Sequence, residues 1–597
     1  MHPYIEAIPF EHFSKFYASP IEHKRAEHNF LNIIRLYKYL AMPQARYFVL
    51  QAVELIIKVF GEKEVYVCES GLTPSGKVHL GNFFDICIAD AIKRALEMRG
   101  LKAKHIIAID SMDPFRQPPV FAPKEFIKEA DAYIGMPFDE IPDPWGCHEN
   151  YALHFTDPLI NTLDDYGVEA EVKTAREIHA MPRYVELLHG IIKHRREVIN
   201  VLNEVRSKAG HKTLYPLDWI PYRPQCSKCR RIDEKVKPIE ILEDGKRIKY
   251  VCEHCGNEGI VNIMKGEGKA PWRIEWPLRW LIFDVVFEPL GKDHMASGSS
   301  YDTAKALIKK LYRREPPIAV FYDFVLLRTE KGVEKFSKRK GIGLGVDEWL
   351  RYAPPEVLRF MILRRDTHDI RREALPHWLF DPKQIPKYVN DFDKLEEAYF
   401  SLEKQPTKMR ERIEMTYKLS LIKNIPKKKP VRVPYLTAAI IAQRAKDLED
   451  GLKLLIKIGK LPITASKEEI KDAKRRLKMA KNWVSDYAPE YKFILPEIPE
   501  EIKVLSEKQI IALQILLNRF KEGSIDKDSF RKVIWDIAEE IYGDKKKSKE
   551  IYQALYYVFS GKPYGPPLSK LIFEVVGEEF IIRRLEEVMR IVGTKKT

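Results

Sequence analysis

The stretch SGLTPSGKVHLGN, residues 70–82, decides the fold, because it joins two apolar segments through a run of small, turn-forming residues. Before it, EVYVCE at 64–69 has the composition of a buried strand. After it, apolar residues recur at helical spacing over 80–98 and end before Gly100, a typical helix C-terminal signal. The segment KHIIAID at 104–110 has the pattern of a second buried strand. The sequence therefore predicts a βαβ unit and a parallel sheet.

The loop in this unit has the features of a phosphate site. Ligands of parallel sheets lie at the carboxyl ends of the strands, facing a helix N-terminus. Small residues let backbone N–H groups approach a phosphate, and His79 can donate to it. The spacing matches neither GxxxxGK[ST] nor GxGxxG. Taken alone, such a loop is more often a plain strand-to-helix turn with a surface histidine.

Composition places the chain among globular proteins with several domains. It has 597 residues, of which 45% are apolar and 31% charged. The formal charge of +15 favours a polyanionic partner, although a Lys- and Glu-rich surface of a protein from a hot environment is the alternative. The apolar stretch 47–60 is interrupted by Glu54 and Lys58, and the N-terminus lacks a signal-peptide pattern. We expect a cytoplasmic protein with no membrane partner.

Four of the seven cysteines form the pattern C-x2-C-x22-C-x2-C. Two such pairs joined by a strand-rich segment are typical of a zinc ribbon with four thiolate ligands. Four protein ligands leave no position for water, so the zinc would be structural. The alternative is four unrelated buried thiols. The predicted ligands are Cys226, Cys229, Cys252 and Cys255.

A second, basic loop follows later apolar segments at 276–291 and 318–327. It is KFSKRKG at 335–341, with three lysines and one arginine. Alone it is more often a solvated basic turn. Together, HLGN after one strand and KFSKR after later ones resemble the HIGH and KMSKS signatures of class I aminoacyl-tRNA synthetases. The positions that match these two signatures are His79 and Asn82, and Lys335, Ser337 and Lys338.

Further segments are similar to the archaeal-type class I lysyl-tRNA synthetases, and the likeness runs from about residue 45 to the end. They are ESGLTPSGKVHLGNF (69–83), DPWGCHENYALHF (143–155), WRIEWPLRW (272–280), EPLGKDHMASGSSYDT (288–303), AKNWVSDYAPE (480–490) and FSGKPYGPPL (559–568). The resemblance implies an α/β fold: a Rossmann-type parallel-sheet catalytic domain, a zinc-binding insertion and an all-α C-terminal anticodon-binding region.

The implied activity joins lysine to tRNA(Lys) through lysyl-adenylate, with ATP, Mg²⁺ and Zn²⁺ as cofactors, in a monomer. Because negative charge builds on the phosphoryl oxygens, positioned donors and cations suffice and no side-chain nucleophile is needed. The residues implied for catalysis are His79, Asn82, Lys335, Lys338 and Lys340. Those implied for ATP binding are Pro74, Ser75, Gly76, His79, Gly81, Asn82 and Lys338.

The resemblance also implies a lysine pocket in which aromatic rings suit the aliphatic stem and the ammonium. It consists of Gly71, Thr73, Trp272, His294 and Tyr322. Without the resemblance, Trp272 and Tyr322 would be core aromatics. An acidic partner for the substrate ammonium should lie close by, and the sequence leaves four candidates open: Glu69, Asp110, Asp113 and Glu275.

The chain departs from the family pattern in two places. Where the family commonly has Trp-Asp-Asp-x-Asp-x-x-Arg, this chain has IDSMDPFR at 109–116, so Ile109 and Ser111 replace an aromatic residue and a carboxylate. This puts amino-acid affinity in doubt more than ATP binding. In the basic loop, the family often has a small residue at Lys338 and a lysine at Lys340, so either could meet the phosphates.

A second metal site is suggested by four potential ligands within twelve residues. On spacing alone they are more often ordinary loop residues, because an adjacent Cys-His pair reaches one metal only from an irregular loop. The resemblance implies zinc ligands at the matching positions, which are Asp143, Cys147, His148 and His154.

These features divide the chain into six predicted parts. They are an N-terminal helical extension (1–60), the first half of the catalytic domain (61–120), the zinc-binding insertion (121–270), the second catalytic half with the basic loop (271–345), a connecting helical domain (346–400) and an α-helical anticodon-binding region (401–597). Two other functions stay open: a paralogue that binds tRNA without charging it, and a synthetase of this fold for another amino acid.

Overall fold

The strands and helices of this computed structural model are described for residues 47–493, 497–565 and 567–593. In chain order the strands are β1 (Tyr66–Leu72), β2 (Ala103–Ile109), β3 (Glu171–Thr174), β4 (Arg223–Pro224), β5 (Val236–Ile241), β6 (Arg247–Cys252), β7 (Glu258–Asn262), β8 (Gly268–Lys269), β9 (Val285–Gly291), β10 (Ile318–Tyr322), β11 (Val325–Thr329), β12 (Gly332–Lys335) and β13 (Trp378–Phe380).

The helices of the first two thirds of the chain are α1 (Phe48–Phe60), α2 (Leu80–Glu97), α3 (Lys124–Glu129), α4 (Tyr151–Ile160), α5 (Ala175–His179), α6 (Pro182–Lys193), α7 (Arg195–Lys208), α8 (Trp272–Phe283), α9 (Ser300–Tyr312), α10 (Val346–Trp349), α11 (Pro355–Leu363) and α12 (Ile385–Tyr399). The remainder is α13 (Thr407–Ser420), α14 (Tyr435–Arg444), α15 (Leu448–Lys457), α16 (Lys467–Asp486), α17 (Glu507–Lys521), α18 (Phe530–Tyr542), α19 (Ser548–Ser560), α20 (Leu568–Lys570) and α21 (Glu578–Gly593), with a π-helical turn at Leu571–Val576.

A five-stranded parallel sheet in the order β10-β9-β1-β2-β3 forms the centre of the catalytic domain. The chain leaves β1 through α2 and returns as β2 on one side, and β9 later pairs with β1 on the other. The strand order thus reverses beside β1, which is where ligands bind in open parallel sheets. The predicted βαβ unit and the α/β fold class are confirmed.

α2 connects this sheet to the largest hydrophobic core. Its buried residues include Phe83, Phe84 and Ile88, which belong to one cluster with β1 and with the helices that follow the sheet. Because the helix is buried along most of its length, its N-terminus is held rigidly at the carboxyl edge of the sheet.

The predicted insertion at 121–270 differs from the structure in one respect, because it contains β3, an edge strand of the central sheet. The rest includes a small aromatic core, an antiparallel sheet and the helices α5 to α7, of which α6 and α7 pack with α8 and α9. Residues from Phe115 to Phe155 pack around Tyr151 in a small aromatic core. The antiparallel sheet β5-β6-β7 carries two of the four ribbon cysteines at or beside the ends of β6.

The C-terminal part of the described chain is helical from α12 onward, as predicted. The short strand β13 precedes it and pairs in parallel with β11 beside the basic loop. Of the predicted N-terminal extension, residues 1–46 lie outside the described residues, and α1 packs on the catalytic core. Within the described ranges no helix has the length and apolarity needed to cross a membrane.

Candidate active site

The first loop, residues 70–79, ends in a histidine fixed at the N-terminus of α2. The backbone N–H of His79 donates to Oδ1 of Asn82 at 3.2 Å and so caps the helix. Gly81 leaves room for the imidazole, since a Cβ there would lie 3.1 Å from the His79 ring. Phe336 of the second loop meets the imidazole edge-on, with ring centroids 5.3 Å apart. Within the described chain, Nδ1 of His79 is buried without a hydrogen-bond partner.

The second loop, residues 335–341, is in direct contact with the first; we call it the lysine loop. Nζ of Lys338 donates to the carbonyl oxygen of Thr73 at 2.7 Å. Gly76 has φ +154°, and a Cβ on it would lie 2.7 Å from the carbonyl oxygen of Lys338. Glycine allows this close approach of two backbones. Both predicted phosphate loops therefore lie in one cleft, with Pro74 and Ser75 in the turn between the contacts.

The three lysines of the lysine loop have different surroundings. Nζ of Lys335 lies 3.2 Å from the ring centroid of Phe324, in a cation–π contact. Lys340 is exposed. Only Lys338 reaches between the loops, and burial there lowers its pKa to about 8. The geometry therefore favours Lys338 over Lys335 and Lys340 as the lysine that meets a nucleotide.

The five predicted lysine-pocket residues come from four places at the carboxyl edge of the sheet. Trp272 stacks on Trp276 with centroids 5.1 Å apart, and Trp276 lies 5.0 Å from His294. The Arg279 guanidinium lies 5.1 Å from the Trp272 centroid. Nη2 of Arg279 is 3.5 Å from where a Cβ of Gly71 would stand. Trp276 and Arg279 thus link three of the pocket residues.

All four candidate acidic partners are already ion-paired. Nε and Nη1 of Arg279 bind Glu69 and Asp110 at 2.9 and 2.8 Å. Nζ of Lys269 binds Asp113 and Glu275 at 2.6 and 2.9 Å. Except for Asp113, which is one-third exposed, these side chains are buried. We call the six residues the paired network: Glu69, Asp110, Asp113, Lys269, Glu275 and Arg279.

A fifth carboxylate near the pocket, Asp85, differs from these four in its surroundings. It is half-buried on the second turn of α2 beside the hydroxyl of Tyr322, and burial raises its pKa to about 7, against the opposing effects of that hydroxyl and of the Lys338 charge. No ion pair to Asp85 is found among the described residues. Sequence reasoning missed it, although an aspartate inside the apolar run FFDICIA, six residues after His79, is an available signal. Arg279 and Lys269 were missed as well.

The two departures at 109–111 have structural partners. Ile109 is buried at the end of β2. Oγ of Ser111 donates to Oδ2 of Asp139 at 3.0 Å, and Asp139 also accepts from Arg176. This carboxylate, together with its arginine, ties the aromatic core of the insertion to the end of β2.

The four ribbon cysteines converge on one point. Their ligand atoms all lie within 4.8 Å of one another, with Sγ–Sγ distances of 3.7 Å for Cys226 to Cys255 and 3.5 Å for Cys229 to Cys252. Burial opposes ionisation of Cys226, but the backbone N–H groups of Cys229 and Lys228 lower its pKa to about 6. Four sulfurs at this spacing fit a tetrahedral zinc ion, so this cluster can hold a structural zinc.

The second predicted metal set also converges, and we call it the mixed cluster: Asp143, Cys147, His148 and His154. Its ligand atoms lie within 4.8 Å of one another. Sγ of Cys147 is 3.1 Å from Nδ1 of His148 and 3.3 Å from Nδ1 of His154. One oxygen, one sulfur and two nitrogens form a donor set that zinc accepts.

Comparison with known proteins gives consistent matches. The family model described as "tRNA synthetases class I (K)" matches residues 48–423. A lysine–tRNA ligase of Methanocaldococcus jannaschii is 35% identical over 529 residues, covering 87% of this chain and 96% of that protein. A lysine–tRNA ligase of Pyrococcus horikoshii is 35% identical over 535 residues, covering 89% of this chain and 97% of that protein.

Proposed function

The chain belongs to the class I tRNA synthetases of the K family, and from that premise we propose that it activates lysine with ATP and transfers the lysyl group to tRNA(Lys). The observation that carries the proposal is the contact of Lys338 with Thr73, which brings two phosphate-binding loops into one cleft beside β1. The activity of the lysine–tRNA ligase relatives supports lysine as the amino acid, as does the carboxylate of Asp85, which has no ion pair within the described chain.

In the activation step, a carboxylate oxygen of lysine attacks the α-phosphorus of ATP. The bond from that phosphorus to the bridging oxygen breaks, and pyrophosphate leaves. His79 is neutral at physiological pH, because burial and then the Lys338 charge lower its pKa to about 3, so it acts as a hydrogen-bond donor. Lys338 exchanges the Thr73 carbonyl for the phosphate oxygens. Mg²⁺, when bound with ATP, would neutralise part of the triphosphate charge.

We place an ammonium group of the substrate lysine at Asp85 and Tyr322. The four carboxylates of the paired network are bound by Arg279 and Lys269, and Glu288 accepts hydrogen bonds from the indole N–H groups of Trp276 and Trp280. Burial disfavours the charged form of Asp85 more than the Lys338 charge favours it, and an incoming ammonium would stabilise that form. Trp272 and His294 supply the aromatic wall for the aliphatic stem.

In the transfer step, the 2′-hydroxyl of the terminal adenosine of tRNA attacks the carbonyl carbon of lysyl-adenylate, and AMP leaves. The formal charge of +15 suits the tRNA backbone. The helices from α13 to α21 are the proposed anticodon-binding region, where unstacked bases would be read. The protein is proposed to act as a monomer in the cytoplasm.

ATP–pyrophosphate exchange with each of the twenty amino acids tests this proposal. Lysine-dependent exchange supports it. A chain that binds tRNA but exchanges with no amino acid is the non-charging paralogue, and exchange with a different amino acid assigns the chain to another specificity. Either of these results would refute lysine activation.

A further inference from the structure

The mixed cluster lies beside the lysine loop, and three aromatic rings connect them. We propose that the rings of His154, Trp145 and Phe121 brace the lysine loop over the nucleotide site, so that a zinc ion at the mixed cluster tightens the loop's hold on the phosphates. This role of Trp145 and Phe121 as positioning residues rests on the proposed function.

The first link joins the metal ligands to an indole. The His154 imidazole stacks on Trp145 with centroids 4.0 Å apart and planes 10° apart. Nδ1 of the same imidazole lies 3.1 Å from Oδ1 of Asp143 and 3.3 Å from Sγ of Cys147. Coordination of His154 would therefore fix the plane on which Trp145 rests.

The second link extends the stack of rings from Trp145 to Phe121, beyond the mixed cluster. The Trp145 and Phe121 rings are 6.1 Å apart at an interplanar angle of 30°. Phe155 of α4 meets both rings edge-on, at 5.5 Å from Trp145 and 6.3 Å from Phe121. Since Phe155 belongs to the aromatic core around Tyr151, the stack is anchored on a packed body.

The third link reaches the lysine loop itself. Gly341 has φ +63°, and a Cβ on it would lie 2.9 Å from Cδ1 of Phe121. The backbone N–H of Val120 donates to the carbonyl oxygen of Arg339 at 3.0 Å. The segment 120–121 thus contacts both residues that flank Lys340.

The cause of the coupling is chain ordering. Segment 143–150 is irregular and is held mainly by backbone N–H groups that donate to Asp143. Ligation of four side chains by one ion removes the freedom of the segment and of the His154 ring. The Phe121 ring contacts the loop at Gly341 and is not one of the metal ligands, so truncating it should uncouple the loop without removing a ligand.

The test uses full-length protein and hydrogen exchange of the peptide 336–344, with zinc content measured in parallel. Phe121→Ala breaks the stack, His148→Ala removes a ligand outside the stack, and Ile127→Ala is the control, since Ile127 is similarly exposed on the same body. We expect exchange of the loop peptide to rise about twofold to tenfold in the first two variants and to stay unchanged in the control. His148→Ala should lose one of two zinc ions per chain.

Kinetics give a second readout, because a looser loop raises the KM for ATP severalfold and leaves the KM for lysine unchanged. Should Phe121→Ala fail to fold, Phe121→Leu removes the flat ring and keeps the volume. Unchanged loop exchange in both Phe121 variants, an equal rise in Ile127→Ala, or full zinc content in His148→Ala overturns the proposal. Exchange and zinc content require no aminoacylation, so they stand even if the wild-type protein activates no lysine.

Discussion

Two sets of charged groups share one cleft: one set is joined by ion pairs within the protein, and the other has no such pair within the described chain. In the paired network, the ion pairs of Lys269 outweigh burial, so the pKa of Lys269 is raised and that of Glu275 is lowered. At Glu69 and Asp110, burial outweighs the Arg279 charge and raises the pKa values to about 7 and about 6. We call His79, Asp85 and Lys338 the open groups. For them burial prevails, with pKa values of about 3, 7 and 8.

The difference separates structure from binding. Groups whose charges are balanced inside the protein hold β1, β2 and α8 together and offer little to a ligand. Groups that burial pushes toward neutrality and that have no ion pair within the described chain gain most when a charged ligand arrives, which is why perturbed pKa values mark functional sites. ATP supplies anions for Lys338 and His79, and lysine supplies a cation for Asp85.

The largest effect on stability is expected from breaking the ion pairs of the paired network. Lys269→Met leaves Asp113 and Glu275 without their cation, and loss of one partner of a buried ion pair costs about 3–5 kcal/mol of stability. Urea unfolding followed by tryptophan fluorescence measures this. Lys237→Met is the control, because its pair with Glu253 is exposed and contributes below about 1 kcal/mol. Equal losses of stability in both variants would contradict a larger contribution from the buried ion pairs.

Two of the open groups, His79 and Lys338, should affect the chemical step. Lys338→Ala or His79→Ala removes a transition-state donor and should lower the lysine-dependent exchange rate by about 10²–10³-fold, roughly 3–4 kcal/mol. Lys340→Ala is the matched control from the same loop, and its effect should be small because Lys340 is exposed. If Lys340→Ala is as slow as Lys338→Ala, the assignment of the phosphate-binding lysine is wrong.

A smaller effect is expected at the amino-acid end. Asp85→Asn keeps the shape of the side chain and removes the charge, which should raise the KM for lysine by about 10–100-fold, as for loss of a charged hydrogen bond of 1.5–3 kcal/mol. The KM for ATP should stay unchanged.

The same variant tests the pH dependence of stability. Because the pKa of Asp85 is raised on folding, its ionisation destabilises the protein as pH rises from about 4 to 7, so the Asp85→Asn variant should be more stable than the wild-type protein at pH 8.

The sequence predicts the parts of this site that lie in local patterns. The βαβ unit, the helix start after His79 and the basic loop follow from apolar periodicity and turn residues. The strand β3 was not predicted, because Glu171–Thr174 is short, lies at the edge of the sheet and has charged residues at alternate positions. The pairing of Arg279 with Glu69 and Asp110 joins residues far apart in the chain, so the sequence could not exclude those carboxylates. A role for Asp85 in ligand binding could not be predicted from the sequence, because its proximity to Tyr322 is seen only in the folded structure.

The central claim, that the open groups are charges awaiting a ligand, is tested most directly by proton release when lysine binds. Calorimetry at pH 7 in buffers of different ionisation enthalpy counts the protons. With a pKa of about 7, Asp85 is half protonated before binding, and its ion pair with the ammonium should release about half a proton per lysine. We expect this release in the wild-type protein and none in Asp85→Asn. Equal release by both proteins, or none by the wild-type protein, would contradict it.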